Sequence, residues 1–418
     1  MPIKHLVFLS ILFTTFFSIN AQQTNRTQIL NKNIKTLQAK VNGDALKLPI
    51  ITLGSEDALQ ISFDNLSHEI QSFSYRVRHC NADWTLSEIS TNEYLSGFTN
   101  GRVEDYKTSI NTTVLYTHYA FQLPNNDMNF KISGNYVVEI YKNNETENPV
   151  STLCFSVVEP RADILANVRG NTDTELNGRL QQLDFDVMLK GYYVRDPHSE
   201  IKVVVRQNNR LDNQVTRIKP TFFSSDKLTY NNNRSLIFEG GNEYRRFDIS
   251  SIYNYSERIN TIKYVNPYYQ AYLFPDEVNT RSLYQHDFDV NGKFVINYQN
   301  HPDDEIMADY IYVNFFLKKD VPFFDGDVFL GGEYNYNQMN ESNRMDYDMN
   351  EKMYTKSVLL KQGGYNYQYW FRQKGEEKAT AASIEGSFWQ TQNQYAIYIY
   401  HRGFGERYDK LIGVKVFP

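Results

Sequence analysis

Residues Phe73–Trp84, FSYRVRHCNADW, decide the fold class of this chain. Phe73, Tyr75 and Val77 alternate with polar residues, and apolar residues at every second position predict a β-strand with one buried face. The strand runs into a polar corner, and short aromatic-rich strands with Asn, Gly or Asp corners recur along the chain. We therefore predict an all-β protein built from tandem immunoglobulin-like or E-set-like β-sandwiches.

The composition agrees with strands and argues against a nucleic-acid partner. The 418 residues include 32 Tyr and 27 Phe, and aromatic side chains favour half-buried pleated surfaces. The formal net charge is −6, and no polybasic run offers the positive surface that phosphate backbones or anionic lipids require.

The first 21 residues have the order of a cleavable secretory signal. A basic start at Lys4 precedes an apolar run from Leu6 to Ile19, and Ala21 is a small residue before a predicted cut at Gln22. The run is shorter than the roughly 20 apolar residues of a membrane-spanning helix, so we favour cleavage over an uncleaved anchor. We predict an exported chain without a direct membrane span.

The two cysteines, Cys80 and Cys154, each lie in a strand-like run and occupy the phase opposite its apolar residues. Both therefore lie on the same kind of face, which permits a disulfide in the oxidising compartment that an exported protein meets. Two buried free thiols are the alternative. The sequence leaves both states open.

Turn signals divide the mature chain into three predicted domains. The Glu159-Pro160 corner ends the first of them. We predict an N-terminal β-sandwich at residues 22–160, a middle β domain at residues 161–309 and a C-terminal β-sandwich at residues 310–418.

Two segments are candidates for partner contact. A polar excursion at residues 85–111 is too long for a hairpin loop, and such excursions are usually functional or mobile. Within it we select Tyr94, Phe98 and Arg102.

The second candidate segment is the string EYRRF at residues 243–247, from which we select Tyr244, Arg245 and Arg246. Tyr and Arg are enriched at protein interfaces. Ordinary strand surface is the favoured alternative for this segment.

The string that looks catalytic is HPDDE at residues 301–305, which resembles the zinc motif of sugar deacetylases. A catalytic zinc normally needs three protein ligands, and His401 is the only later histidine, so we favour a solvated acidic linker. No nucleophile elbow, phosphate loop or dinucleotide fingerprint occurs. We expect no catalytic residue, no metal site, no cofactor and no enzyme activity.

The C-terminal unit resembles glycogen- and starch-binding sandwich modules. The matching strings are FLGGEYN at residues 329–335 and GGYNYQY at residues 363–369. In those modules a Trp shortly after the first string stacks on sugar, whereas Asn337 stands about there in this chain. Tyr336 and Trp370 are the remaining stacking candidates. The resemblance implies the sandwich fold, and the departure argues against glycan binding.

The mature chain as a whole resembles the type IX secretion system plug protein family of Bacteroidetes, formerly described as a domain of unknown function. The matching strings follow one another along nearly the full length: IKTLQ at 34–38, FDNLSHE at 63–69, HCNADW at 79–84, NTT at 111–113, GNYVVE at 134–139, CFSVVEP at 154–160, GNEYRRF at 241–247 and KQGGYNYQY at 361–369.

This resemblance implies a non-enzymatic periplasmic subunit on the inner side of the outer membrane. In that role the protein covers the periplasmic opening of an SprA-type translocon barrel when no substrate is passing. The alternative is a periplasmic or surface glycan-binding accessory protein, which rests on the C-terminal unit alone.

Overall fold

The computed structural model describes residues 24–143, 145, 147–279 and 283–418. The predicted signal segment, with its cut between Ala21 and Gln22, lies outside the described residues. The strand predicted from the FSYRVRHC pattern runs from Phe73 to Cys80 and alternates between buried and half-buried residues as its sequence does.

The first sandwich, unit 1, contains twelve strands and one short helix in the described residues. They are β1 (Gln28–Ile29), β2 (Ile34–Val41), β3 (Ile50–Thr52), β4 (Leu59–Asn65), β5 (Phe73–Cys80), α1 (Thr91–Tyr94), β6 (Leu95–Gly97), β7 (Asn100–Val103), β8 (Asp105–Thr108), β9 (Thr117–Leu123), β10 (Met128–Phe130), β11 (Gly134–Lys142) and β12 (Ser151–Val158).

Unit 1 packs two sheets face to face. One has the order β1-β12-β11-β5-β7, with β3 parallel to β12, and the other has the order β2-β4-β9-β8. The apolar phase of each strand fills the space between them. Phe63, Phe73 and Tyr119 meet there with ring centroids 4.7–5.3 Å apart, a spacing typical of favourable aromatic pairs.

The excursion at residues 85–111 is a set of edge strands rather than a loop. β7 pairs with β5 at one edge of the first sheet, and β8 pairs with β9 at one edge of the second. β6 pairs with β10. The same stretch of chain therefore adds one edge strand to each of the two sheets.

The rest of the chain forms two further sandwiches. Their elements are β13 (Asp163–Arg169), β14 (Leu180–Met188), α2 (Pro197–Glu200), β15 (Ile201–Gln207), β16 (Val215–Thr216), β17 (Phe222–Phe223), β18 (Lys227–Tyr230), β19 (Ile237–Glu239), β20 (Arg245–Asp248), β21 (Ile259–Val265), β22 (Tyr268–Leu273), β23 (Asp276–Glu277), β24 (Phe294–Ile296), α3 (Asp304–Met307), β25 (Tyr310–Lys318), β26 (Gly326–Gly331), β27 (Asp346–Asp348), β28 (Met353–Lys361), β29 (Gly363–Gln373), α4 (Ala382–Glu385), β30 (Tyr395–His401) and β31 (Lys410–Phe417). Single 3-10 turns occupy Arg234–Leu236 and Glu333–Asn335.

Unit 2 is the sandwich of the sheet β13-β14-β18-β17, with β19 beside β14, and the sheet β16-β15-β30-β31. Leu183, Val205 and Ile397 belong to its core. Unit 3 packs the sheet β21-β22-β25-β28-β27 against the long strand β29 and its neighbours β20, β24 and β26. Phe247, Phe315 and Tyr367 form an aromatic cluster in its core.

The strand pairing divides the chain differently from the predicted boundary at residues 309 and 310. β30 pairs with β15 along its whole length, so the C-terminal hairpin completes unit 2. β20 to β24, from the predicted middle domain, pair among themselves or with β25 and β29 of unit 3. Unit 3 is therefore inserted between β19 and β30 of unit 2. The alternation of a strand shows which face is buried, but it does not show which distant strand lies beside it.

The architecture confirms the predicted all-β class of tandem β-sandwiches. The α-helices in the described part of the chain have four residues each. None of them is long and apolar enough to cross a membrane.

Candidate functional surface and the junctions behind it

The structure leaves two of the three residues selected from the excursion on the surface. Phe98 is 67% exposed, and Arg102 is exposed on the edge strand β7. Tyr94 is buried, with its ring centroid 5.9 Å from that of His79. The selection of Tyr94 as a partner contact is therefore corrected, because its side chain belongs to the core of unit 1.

The EYRRF segment is structural, so its selection as a contact surface is also corrected. Tyr244 is buried in a cluster with Trp370. Arg245 lies 2.9 Å from Asp276 and 2.8 Å from Glu385, two carboxylates that are themselves buried. Arg246 is partly exposed and pairs with Glu257 and Asp287.

Cys80 and Cys154 are free thiols. They lie on the same face of one sheet, as predicted, but β11 runs between their strands: Cys80 is opposite Asn135, and Cys154 is opposite Val137. Two steps of about 4.8 Å between strands exceed the Cα separation of about 7 Å that a disulfide tolerates. The disulfide alternative is therefore wrong for this fold.

We expect two thiols per chain when the purified protein is denatured without reductant and titrated with Ellman's reagent. In the native protein the reaction of Cys80 should be slow, because burial raises the pKa of its thiol to about 12 and the thiolate is the reactive form. A denatured, unreduced protein without titratable thiols would contradict the geometry.

His79 and Cys80 do not form a nucleophile pair. His79 points into the core, where its ring nitrogens lie 2.9 Å from Ser87 Oγ and 3.2 Å from the Ser133 carbonyl oxygen. Burial lowers the pKa of His79 to about 4, so its imidazole is neutral at physiological pH. Cys80 faces the opposite side of the sheet.

Pro302, Asp303 and Glu305 of the HPDDE string are exposed, as the interpretation of a solvated acidic string predicts, but the string also contacts unit 1. Glu305 of α3 lies 2.7 Å from Lys40 Nζ. His118 Nε2 is 3.4 Å from Glu305 Oε2, close enough for ionic attraction but not aligned for a hydrogen bond. No group of three His, Cys, Asp or Glu side chains that could hold a metal occurs among the described residues.

Neither residue that the glycan-binding alternative needs is available to a sugar. Trp370 is fully buried. Tyr336 turns towards unit 1, where its hydroxyl donates to the Leu37 carbonyl oxygen at 2.9 Å. The stacking role considered for both residues is therefore wrong.

A buried ionic cluster joins unit 1 to unit 3. Asp64 of β4 and Lys361 of β28 are both 1% exposed at their side chains, and their charged atoms are 2.6 Å apart. The same carboxylate lies 2.6 Å from His118 Nδ1 and accepts a hydrogen bond of 2.6 Å from the Tyr310 hydroxyl. Lys361 also donates to the Glu305 carbonyl oxygen at 2.5 Å. We call these five residues the Asp64 cluster.

The charges of the Asp64 cluster support one another. Burial works to raise the pKa of Asp64, but Lys361 and His118 outweigh it and the pKa is lowered. Burial works to lower the pKa of His118, but the Asp64 carboxylate outweighs it and the pKa is raised. Each buried charge of the cluster thus has a partner of opposite sign, as burial requires.

We expect the stability of the protein to fall as the pH rises above about 6.5, the usual pKa of His. A raised folded-state pKa stabilises the fold fully below the unfolded value, and this contribution is lost as the pH rises through the folded value. His118→Gln should flatten the profile by about 1.5–3 kcal/mol, the scale of a hydrogen bond to a charged group. Urea midpoints measured across this pH range provide the test, and parallel profiles for wild type and variant would contradict it.

Asp309 makes a second contact between units 1 and 3. Its carboxylate accepts hydrogen bonds from the backbone N–H groups of Thr113 and Val114 at 2.7 and 3.0 Å. Nearby, the buried Tyr116 hydroxyl donates to the Ala308 carbonyl oxygen at 2.8 Å. These hydrogen bonds fix the segment after the excursion against unit 3.

Units 1 and 2 meet through the outer faces of two sheets. An apolar cluster that includes Val158 and Tyr398 fills this junction. Beside it the buried Asp409 carboxylate accepts a hydrogen bond from the Ala82 N–H at 2.9 Å and from Lys202 Nζ at 2.8 Å. Each unit is thus held to its neighbours by buried polar contacts.

Sequence reasoning missed Asp64, Lys361, Asp309 and Asp409. Asp64 occupies the polar phase of β4, which predicts solvent exposure. It is buried because unit 3 covers that face of unit 1. A carboxylate in a polar phase carries no signal of its own that a second domain lies over it.

A family model for the first domain of the type 9 secretion system plug protein matches residues 34–159, the strands of unit 1 from β2 to β12. A solved structure extends the likeness to the whole fold. The crystal structure of a hypothetical protein from Parabacteroides merdae ATCC 43184 is 42% identical, with a TM-score of 0.93, and the match covers 95% of this chain and 100% of that one.

The chain belongs to the type IX secretion system plug protein family. It is therefore a component of type IX secretion, and the family resemblance is confirmed by the match over residues 34–159. No curated protein matches the chain.

Proposed function

We propose that this protein is a periplasmic plug. It covers the periplasmic opening of the SprA-type outer-membrane barrel when no substrate is passing, on the inner side of the outer membrane. The membership of the plug family supports a role in type IX secretion, and the joining of three sandwiches into one body is the structural observation that carries the more specific role.

A cover for a wide pore must resist deformation. A barrel that passes folded cargo would leak small solutes unless a body of similar width stayed seated across its opening. Flexible links between domains would let such a body bend, and polar interdomain interfaces ordinarily permit relative motion. Here Asp64 and Lys361 form a buried ion pair between units, and Asp409, which pairs with Lys202 within unit 2, accepts a hydrogen bond from the Ala82 N–H across another junction. Loosening these contacts would leave buried charges without partners.

The plug must also be released. Reversible interfaces combine a few aromatic and Arg side chains with polar surroundings. Phe98 and Arg102 fit this description, since both are exposed next to the edge of one sheet of unit 1. We propose this edge as part of the contact with the barrel.

The proposed role needs no chemistry and no cofactor. Several of the most deeply buried charged groups, among them Asp64, Lys361 and Asp409, bind one another or the backbone at the junctions between units. These contacts oppose relative motion of the three units. The glycan-binding alternative is disfavoured because Trp370 is buried and Tyr336 makes an interdomain contact.

Affinity purification of the tagged, full-length protein from outer membranes tests the proposal. We expect a very large β-barrel protein to co-purify. The double variant Phe98→Asp, Arg102→Glu should reduce its recovery, whereas Phe324→Asp, at a side chain 83% exposed in unit 3, should not. Absence of any barrel from the wild-type sample would overturn the proposed function. Equal recovery of the barrel with both variants would show that the contact lies on another face of the protein.

A further inference from the structure

Two buried arginines of unit 2, Arg206 and Arg210, differ in their partners. Each is 7% exposed. Arg210 lies over the ring of Trp370 at 4.4 Å. Its guanidinium is fully matched, with Asp212 at 2.6 Å and a hydrogen bond of 2.8 Å to the Ala379 carbonyl oxygen. This is the usual solution for a buried cation.

Arg206 has aromatic neighbours but no counter-charge in the part of the chain that the structure describes. Its guanidinium lies 5.8 Å from the ring centre of Trp84 and 5.5 Å from that of Tyr398. Among the described residues its protein hydrogen bond is from Nε to Gln214 Oε1 at 3.3 Å, and no carboxylate comes within ion-pair distance. Arginine keeps its charge at physiological pH, and a buried charge without a counter-charge is unfavourable. An anionic group bound beside the guanidinium would therefore be stabilising.

A cavity of about 150 Å³ is lined by Arg206 at the place where all three units meet. Unit 1 contributes Trp84 and Cys154 to its wall, and unit 3 contributes Glu333 and Asn337. A cavity of this size holds a benzene molecule in another protein. It is thus large enough for a small organic molecule.

Two acceptors in the cavity wall also lack partners. Asn337 is 8% exposed, and its Oδ1 has no hydrogen-bond partner among the described residues. The same holds for Glu333 Oε1. Two exposed cations, Arg26 and Lys47, line the cavity as well and favour the approach of an anionic molecule.

Two bulky residues of the same wall, Trp84 and Tyr336, have left-handed backbones. Trp84, Asn209, Tyr336 and Asn337 have φ values of 65°, 53°, 58° and 53°. This left-handed region is uncommon for bulky side chains such as Trp and Tyr, and residues held in it cluster at ligand sites.

We propose that this cavity binds a small zwitterionic molecule, an amino acid or a short peptide with a free carboxyl group. Its carboxylate pairs with Arg206, and its N–H groups donate to Glu333 and Asn337. Such a ligand touches all three units and stabilises their junction. The proposal is independent of the plugging role, since it concerns what the chain binds in isolation.

The melting temperature of the full mature chain tests the ligand class. The probes are a mixture of the common amino acids, a mixture of tripeptides with free carboxyl groups, the same tripeptides as carboxyl amides, and inorganic phosphate. We expect one of the first two to raise the melting temperature by about 2–4 °C. A response to amino acids alone assigns a free metabolite, and a response to tripeptides alone assigns a chain terminus. No response to either, or an equal response to the amides or to phosphate, overturns the proposal.

Three variants assign the response to this cavity. Arg206→Met should weaken binding by roughly 30-fold or more, because a buried charge pair loses one partner. Without ligand it should melt no lower than wild type, since it removes an unmatched charge. Asn337→Gly, which keeps the left-handed backbone accessible, should weaken binding with Arg206 intact. Arg210→Lys, at the matched arginine, should lower the melting temperature and leave the affinity unchanged. Full affinity in Arg206→Met, its failure to fold, or equal loss in Arg210→Lys would overturn the assignment.

Discussion

Lys361→Met should lower the free energy of unfolding by about 3–5 kcal/mol, the effect of breaking a buried ion pair by removing one partner. The substitution leaves the Asp64 carboxylate, 1% exposed, without its cation. It also removes the hydrogen bond from Lys361 to the Glu305 carbonyl oxygen. Chemical denaturation followed by aromatic fluorescence measures the loss.

Lys40→Met is the matched control at the same junction. Lys40 pairs with Glu305, but the two side chains are 23% and 50% exposed, and exposed ion pairs contribute about 0–1 kcal/mol. The double variant Asp64→Asn, Lys361→Met should recover part of the stability, because it removes both buried charges. Equal effects of Lys361→Met and Lys40→Met would contradict the buried junction.

Trp370→Ala should destabilise the protein by about 3–5 kcal/mol, as the truncation of a fully buried Trp does. The ring fills a space that the chain has shaped around it. A Cβ at Gly331 would come within 2.3 Å of the ring, and Arg210 covers the ring at 4.4 Å. Trp370 Nε1 donates to Gln368 Oε1 at 3.2 Å.

Phe404→Ala is the control for this variant, since Phe404 also lies beneath an arginine, Arg195 at 4.9 Å, but is 86% exposed. An exposed cation–π contact contributes about 0.5–1 kcal/mol. The melting temperature should therefore fall much further in Trp370→Ala than in Phe404→Ala. A Trp370→Ala protein with unchanged stability and a lost affinity for starch-like saccharides would contradict the buried position and restore the glycan-binding alternative.

The fold class follows from the sequence because strand alternation is a local property. The stretch from Phe73 to Cys80 forms the strand that its apolar phase predicts. Partnership between strands is not local. Ile201–Gln207 has the β-branched residues of a central strand, but nothing in it indicates that its neighbour is Tyr395–His401. The insertion of unit 3 into unit 2 therefore could not be predicted from the sequence pattern of single strands.

The candidate surface was predicted only in part for a related reason. Phe98 and Tyr94 have similar side chains in one polar excursion, but α1 turns Tyr94 into the core and leaves Phe98 outside. Asp64 stands in the polar phase of its strand and is buried by another unit. A sequence pattern distinguishes the two faces of a strand, whereas a tertiary neighbour decides which polar face meets solvent.

The permeability of the outer membrane tests the plugging role most directly. The measurement is the uptake of a large hydrophilic antibiotic that an intact outer membrane excludes, in cells with and without the gene. We predict increased uptake on deletion and restored exclusion when the wild-type chain is returned. Unchanged uptake after deletion, in cells that still make the translocon barrel, would contradict the account.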